Sequence, residues 1–216
     1  MAMPWPRELA DLPYAAALTP GGLDGGADYD TVHFDRADLD DPDASGARFL
    51  ECAFTGVSVQ GGRFRRSRFI DTWIEGARMV LSDFAGTQWT DVTFLNGTMA
   101  GVQAFGSRLN RVVFAGCKLD SVNFRDAELT GVMFSDCLLR EADFGGAVLT
   151  RTAFTASRLA GVDFSRARLD QVDLRGSELG LTVGSDPLRG AIISTGQLTA
   201  IAPVLAESLG IVVDDG

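Results

Sequence analysis

An apolar residue returns at every fifth position from Phe34 to Leu179. The run passes through Phe54, Phe64, Phe84, Phe94, Phe114, Phe124, Phe134, Phe144, Phe154 and Phe164, and through Leu119, Leu129, Leu139, Leu149, Leu159 and Leu169. First and last centre lie 145 positions apart without a slip, 29 steps of five and so 30 units, and 13 of the 14 Phe residues stand at this centre. A second class, two residues before each centre, is small: Cys52, Val57, Ser67, Thr72 and Ala77 are typical. Large and small inward positions that alternate suit a narrow interior packed to protein density. The remaining positions carry nearly all the charge. A period of five matches neither the 3.6 of a helix nor the 2 of a flat strand, so the pattern predicts one short strand and one corner per unit.

Gly occupies the position two after the centre in 12 units, Gly46, Gly56 and Gly61 among them, as a corner with positive φ would favour. From Phe114 to Leu169 the centres alternate strictly between Phe and Leu. A coil with an even number of sides stacks Phe on Phe and Leu on Leu, whereas a three-sided coil would mix them.

Units such as AELTG, ADFGG, ARLDQ and VDFSR resemble the A(D/N)LXX pattern of the pentapeptide repeat family. The resemblance covers about two thirds of the chain. It implies an all-β fold, a right-handed quadrilateral parallel β-helix of about 7.5 coils of four pentapeptides with a short C-terminal α-helix. At about 4.8 Å per coil the rod would be roughly 36 Å long.

Three segments are expected: an N-terminal arm or cap over 1–31, the β-helix over 32–181, and a capping and dimerisation module over 182–216. In the arm, a helix-prone piece from Arg7 to Leu18 precedes a loop from Gly21 to Asp30, and no five-residue frame is read there. In the tail, a helix is expected near Gln197 to Leu209, ended by Gly210, with an apolar strand from Ile211 to Val213. The tail LRGAIISTGQLTAIAPVLAESLGIVV resembles that of the quinolone-resistance branch of the family, its loop-free mycobacterial form in particular. That resemblance implies a homodimer joined through Gln197, Ile201, Val204, Leu205, Leu209 and Ile211; the alternative is a tail that only caps the last coil.

Outward positions Trp73, Thr93, Val113, Met133 and Ala153 recur every twenty residues, with Leu95 and Ala115 beside them. A rod has no reason to expose such an apolar stripe. Cover is expected from the arm, through Trp5, Leu9, Leu12, Tyr14 and Leu18, with a partner protein as the alternative.

Chemistry is scarce. The single His33 has no partner for a relay or metal site, and Cys52, Cys117 and Cys137 fall at the small inward position as buried hydrophobes. No catalytic, metal or cofactor site can be assembled, so a non-enzyme without cofactor is expected. No apolar run reaches the roughly 20 residues of a membrane span. The N-terminus lacks a secretory signal, so the expected location is cytoplasmic, with no membrane partner.

A formal charge of -10 argues against direct nucleic-acid binding. Only -3 of it lies between 32 and 181. The acidic excess gathers near the start, where Asp35, Asp38, Asp40, Asp41 and Asp43, beside Asp28 and Asp30, are opposed by Arg36 alone. Solvation of the rod explains such residues; they are also the candidate partner-binding group. The resemblance implies a DNA-mimic-like protein that binds a type II topoisomerase, DNA gyrase or topoisomerase IV, and protects it from fluoroquinolones or a topoisomerase-targeting toxin. The competing reading is a structural or adaptor scaffold that binds a protein through the stripe or the acidic end.

Overall fold

The computed structural model describes residues 6, 8–23, 28–181, 188–208 and 210–212. The repeat forms a parallel β-solenoid of about eight turns with four sides. The first side is a ten-stranded sheet that contains Val32–Asp35, Ala53–Thr55, Trp73–Glu75, Thr93–Leu95 and Val113–Ala115. The second and fourth sides are eight-stranded sheets. Partners lie twenty residues apart: Phe94 pairs with Ile74 below and Phe114 above. A coil of four five-residue units is therefore the repeating object.

Among the described residues the third side forms no strand. Its coils meet only at single bridges, from Asp43 with Arg63 up to Asp143 with Asp163. Here the chain bends instead of running flat: the carbonyl of Phe124 accepts from the amide of Ala127 at 3.1 Å, and that of Phe64 from Ser67 at 3.1 Å. Carboxylates assist the bend, since Asp83 Oδ1 accepts from the Ala85 amide at 3.0 Å and Asp143 Oδ1 from the Gly145 amide at 2.7 Å. Asp and Asn favour such turns by bonding their own backbone two residues on.

The centres fill the interior. Phe34, Phe84, Phe94, Phe134, Phe144 and Phe154 are fully buried. Rings stack along each side, Phe34 on Phe54 at 4.5 Å and Phe124 on Phe144 at 5.0 Å. Between sides they meet edge to face, as Phe134 and Phe144 do at 84°. Both are favoured aromatic geometries. The Phe-over-Phe register expected from the alternating centres is thus present.

Every corner from Thr31 to Gly176 has positive φ, at eighteen non-glycine residues as well as twelve glycines. Glycine is favoured there but not required, because the ladder on both sides imposes the conformation on residues such as Leu81 and Arg111.

The ends differ from expectation. Tyr29 is a buried centre in the strand Asp28–Asp30, stacked on Phe49 at 4.9 Å, so the frame begins before residue 32. Aromatic Tyr fits the class; only the short spacing to the Gly-rich segment hid it. The arm holds two 3-10 turns, Leu9–Asp11 and Ala15–Ala17, and a short strand Thr19–Pro20 that pairs with Val32 and His33. At the other end Ala191–Ile192 adds a tenth strand to the first side. The helix α1 spans Thr195–Ser208. Ser194 and Gln197 close a capping box, with the Ser194 amide donating to Gln197 Oε1 at 2.8 Å and the Gln197 amide to Ser194 Oγ at 3.3 Å. Gly210, at φ +69°, ends the helix as expected, and the Ile211 amide donates back to the Ala206 carbonyl at 2.8 Å. Ile211 and Val212 form no strand. Leu209 and Val213, like Trp5 in the arm, lie outside the described residues.

Candidate partner-binding surfaces

The acidic end is built on the first coil, where the second-side strand Asp38–Asp40 is the outermost of its sheet. Its outward positions, and the corner at Asp41, therefore project at the rim. Asp35 pairs with Arg36 at 2.9 Å, and that guanidinium holds its carboxyl below the ordinary value. Asp43 pairs with Arg63 at 3.2 Å; the Ser45 side chain and amide, and then this guanidinium, keep its carboxyl low as well. Asp38, Asp40 and Asp41 are exposed and make no ion pair among the described residues. Of the basic group one coil later, Arg63 is used on Asp43 and Arg65 on Asp83, while Arg66 and Arg68 remain exposed.

On the first side the arm covers the lower stripe. Trp73 is fully buried, and it clusters with Ala53 and Leu95 beneath Leu9, Leu12 and Leu18. Trp73 Nε1 donates to Glu75 Oε2 at 3.2 Å, so its one polar atom is satisfied. Tyr14 is buried as well; burial first, then the charge of Asp71, pushes its phenol well above the ordinary value. Higher on the stripe, Thr93, Val113, Met133 and Ala153 are half-buried.

At the C-terminal end, Gln197 and Ile201 face this chain's own last coil. Gln197 Nε2 donates to the Leu174 and Ser177 carbonyls at 2.6 and 2.7 Å, and Ile201 is buried. Val204 and Leu205 are half-buried. Exposed apolar area is instead presented by Ile192, Leu198, Ile211 and Val212. Sequence reasoning passed over Ile192 and Leu198.

His33 does have a partner: its Nε2 lies 2.6 Å from Thr55 Oγ1, which donates to Asp35 Oδ1 at 3.1 Å. The three thiols are buried and free. Burial pushes Cys52 up to about 11. Its Sγ donates to the Leu50 carbonyl at 3.3 Å, and Cys117 Sγ bonds the Phe94 carbonyl at 3.2 Å. Phe105, the one Phe off the centre, is exposed beside Arg65 and Arg66. No helix among the described residues is long and apolar enough to cross a membrane.

A four-sided parallel solenoid with a five-residue period, one buried centre per unit and a polar outer surface defines the class of protein. Two sequence models of one family match it, "Pentapeptide repeats (8 copies)" over residues 33–71 and "Pentapeptide repeat region" over residues 106–164, so these two stretches are pentapeptide repeats. Among solved structures it is similar to HetL, a pentapeptide repeat protein involved in heterocyst differentiation regulation from the cyanobacterium Nostoc sp. Strain PCC 7120. That match has 16% identity, a TM-score of 0.44, and covers 78% of this chain and 90% of HetL. QnrB1, a plasmid-mediated fluoroquinolone resistance protein, matches at 18% identity and a TM-score of 0.42 over 87% of this chain and 91% of its own. A pentapeptide repeat protein from the Arabidopsis thaliana thylakoid lumen matches at 27% identity and a TM-score of 0.31, over 56% of this chain and 72% of its own. No curated protein sequence matches the chain.

Proposed function

We propose that this protein is a non-catalytic, DNA-mimic-like rod in the cytoplasm that binds DNA gyrase or topoisomerase IV and protects it from fluoroquinolones or a topoisomerase-targeting toxin. The observation that carries the reading is the unpaired rim of Asp38, Asp40 and Asp41 at the start of a rod whose sides no loop interrupts. Several acids elsewhere on the repeat are matched by bases one coil away, as Arg111 matches Asp91 and Arg140 matches Asp120; the rim gathers three unmatched ones within four residues. The rim thus offers carboxylates to a basic DNA-binding surface at little cost in broken pairs.

A homodimer through the tail belongs to this proposal. The exposed Leu198, Ile211 and Val212, beside the half-buried Val204 and Leu205, would form its contact, while Gln197 and Ile201 hold the tail on its own coil. Deleting residues 196–216 is expected to halve the mass in solution; an unchanged mass removes the tail from that role.

A supercoiling assay with purified gyrase tests the main reading. Inhibition at micromolar protein, or rescue from ciprofloxacin, is expected, and loss of either on changing Asp38, Asp40 and Asp41 together to Lys. Neither effect at micromolar protein would sink it. The adaptor reading is favoured by the half-buried Val113 and Met133 above the arm. It predicts a protein partner lost in Met133→Asp and kept in the triple Lys variant.

A further inference from the structure

A cavity of about 540 Å³ lies between the arm and the first side. It falls within the few hundred to 1,000 Å³ typical of small-molecule sites. Val113 and Met133 give it an apolar floor beside the buried Trp73, and Leu12, Pro13 and Tyr14 of the arm line it on the other side. One wall is a column of corner residues that climbs one coil at a time, Glu51, Asp71, Asp91 and Arg111.

The charges in that wall do not balance. Arg111 is held by Asp91, with Nε donating to Oδ1 at 2.6 Å and Nη2 to Oδ2, so these two neutralise each other. Glu51 and Asp71 make no ion pair among the described residues. Asp71 is exposed at the cavity edge; burial of part of its carboxyl first, and then the charge of Asp91, raises it above its ordinary value against the opposing charge of Arg111. Tyr14 of the arm lies near these acids, and the charge of Asp71 adds to burial in raising its phenol.

We infer that this cavity binds a small organic monocation, an ammonium on a compact apolar body, with the charge at Asp71 and the body on Val113 and Met133, next to the buried Trp73. Each part of such a ligand meets a need that the cavity leaves open. The ammonium supplies a positive charge beside the unpaired Glu51 and Asp71. The body covers the half-buried part of the stripe that the arm leaves. Anions are repelled by Glu51 and Asp71, and a neutral body of equal size leaves Asp71 unpaired.

Three probes that share one ring and differ in charge test this: 2-phenylethylamine, 2-phenylethanol and phenylacetate. The readout is the Trp73 indole N–H resonance in the full chain. The amine is expected to shift it with a dissociation constant of about 5 mM or below, the alcohol to bind at least about tenfold more weakly, and phenylacetate to give no shift. Asp71→Asn keeps a residue that tolerates this positive-φ corner, and it should reduce the amine to the alcohol's affinity. Met133→Lys, which tethers an ammonium in the cavity, should abolish amine binding without unfolding the rod. Equal binding of amine and alcohol, no shift with any probe, or an Asp71→Asn variant that still prefers the amine would each overturn the inference. The tripeptide acetyl-Leu-Arg-Leu-amide binding more than about tenfold tighter than the amine would overturn it in favour of a basic segment of a partner protein.

Discussion

The side-chain amide of Gln197 reaches back 23 residues to donate to the Leu174 carbonyl at 2.6 Å, and the same nitrogen bonds the Ser177 carbonyl at 2.7 Å. In every lower coil a carbonyl at the position of Ser177 accepts an amide from the coil above, as Ser157 accepts from Glu178. One glutamine therefore replaces the missing next coil. Gln197→Leu strands the Ser177 carbonyl, while that of Leu174 keeps the Ser177 amide at 3.3 Å, and should cost about 1–3 kcal/mol in urea unfolding; an unchanged midpoint would remove this cap from the stability of the rod.

Phe124 is buried in a stack with Phe144 at 5.0 Å. Phe124→Ala should leave a cavity that rigid neighbouring coils cannot close, with a loss of roughly 3–5 kcal/mol. A loss below about 1 kcal/mol would contradict the packing.

The corners give a prediction of opposite sign. Leu81 sits at φ +50° with 65% of its surface exposed, so it holds an unfavourable conformation and buries little in return. Leu81→Asn should raise stability by about 0.5–1 kcal/mol, because Asn tolerates this region better. Gly86→Val, at φ +66°, should lower it by about 1–2 kcal/mol. Thermal unfolding of both variants checks the pair, and equal shifts in one direction would refute it.

Leu12→Glu should lift the arm from Trp73, since a carboxylate cannot remain on that apolar cluster. A red shift of the Trp73 emission and new binding of a hydrophobic dye are expected, with the far-ultraviolet dichroism of the rod unchanged. An unshifted emission would show that the arm does not depend on this contact.

Alkaline pH should weaken the fold. Burial raises the folded thiol of Cys52 from 9.0 to about 11, and Cys137 shifts the same way through its hydrogen bond to Cys117 and its burial. The folded state therefore prefers the protonated thiol. Its contribution is fully present below about pH 9 and is lost as pH rises towards 11. Urea midpoints that hold level up to pH 8.5 and then fall are expected. At pH 8 a thiol reagent should label three sites only after unfolding; rapid labelling of the native chain would place a thiol at the surface.

The register was legible because it depends on side-chain size: Phe124 and Phe144 announce their stack by spacing alone. The third side was harder to see. Its signal is an Asp or Asn before the centre at twenty-residue intervals, Asp43, Asp83, Asn123, Asp143 and Asp163, interrupted by Arg63 and Gln103. Tyr29 was missed because the chain before it is Gly-rich and shows only one unit of the frame. At the surfaces, sequence found the stripe and its cover but not the cavity, which depends on where two short 3-10 turns place Leu12 and Tyr14. The tail helix was visible; which face it turns inward was decided by Gln197, whose amide finds acceptors only on the last coil.

The constant twenty-residue separation between bonded coils also shapes how the rod forms. Each new coil closes a loop of the same length, so the entropic toll of adding one is alike along the whole rod, and only the first pair of coils lacks a template. Growth should then be zipper-like, with amide exchange slowest in the central coils around Phe94 and Phe114 and fastest toward both rims. The acidic rim of Asp38, Asp40 and Asp41 therefore lies in the part of the rod that opens most often, and a partner that grips it would damp the fraying of its first turn.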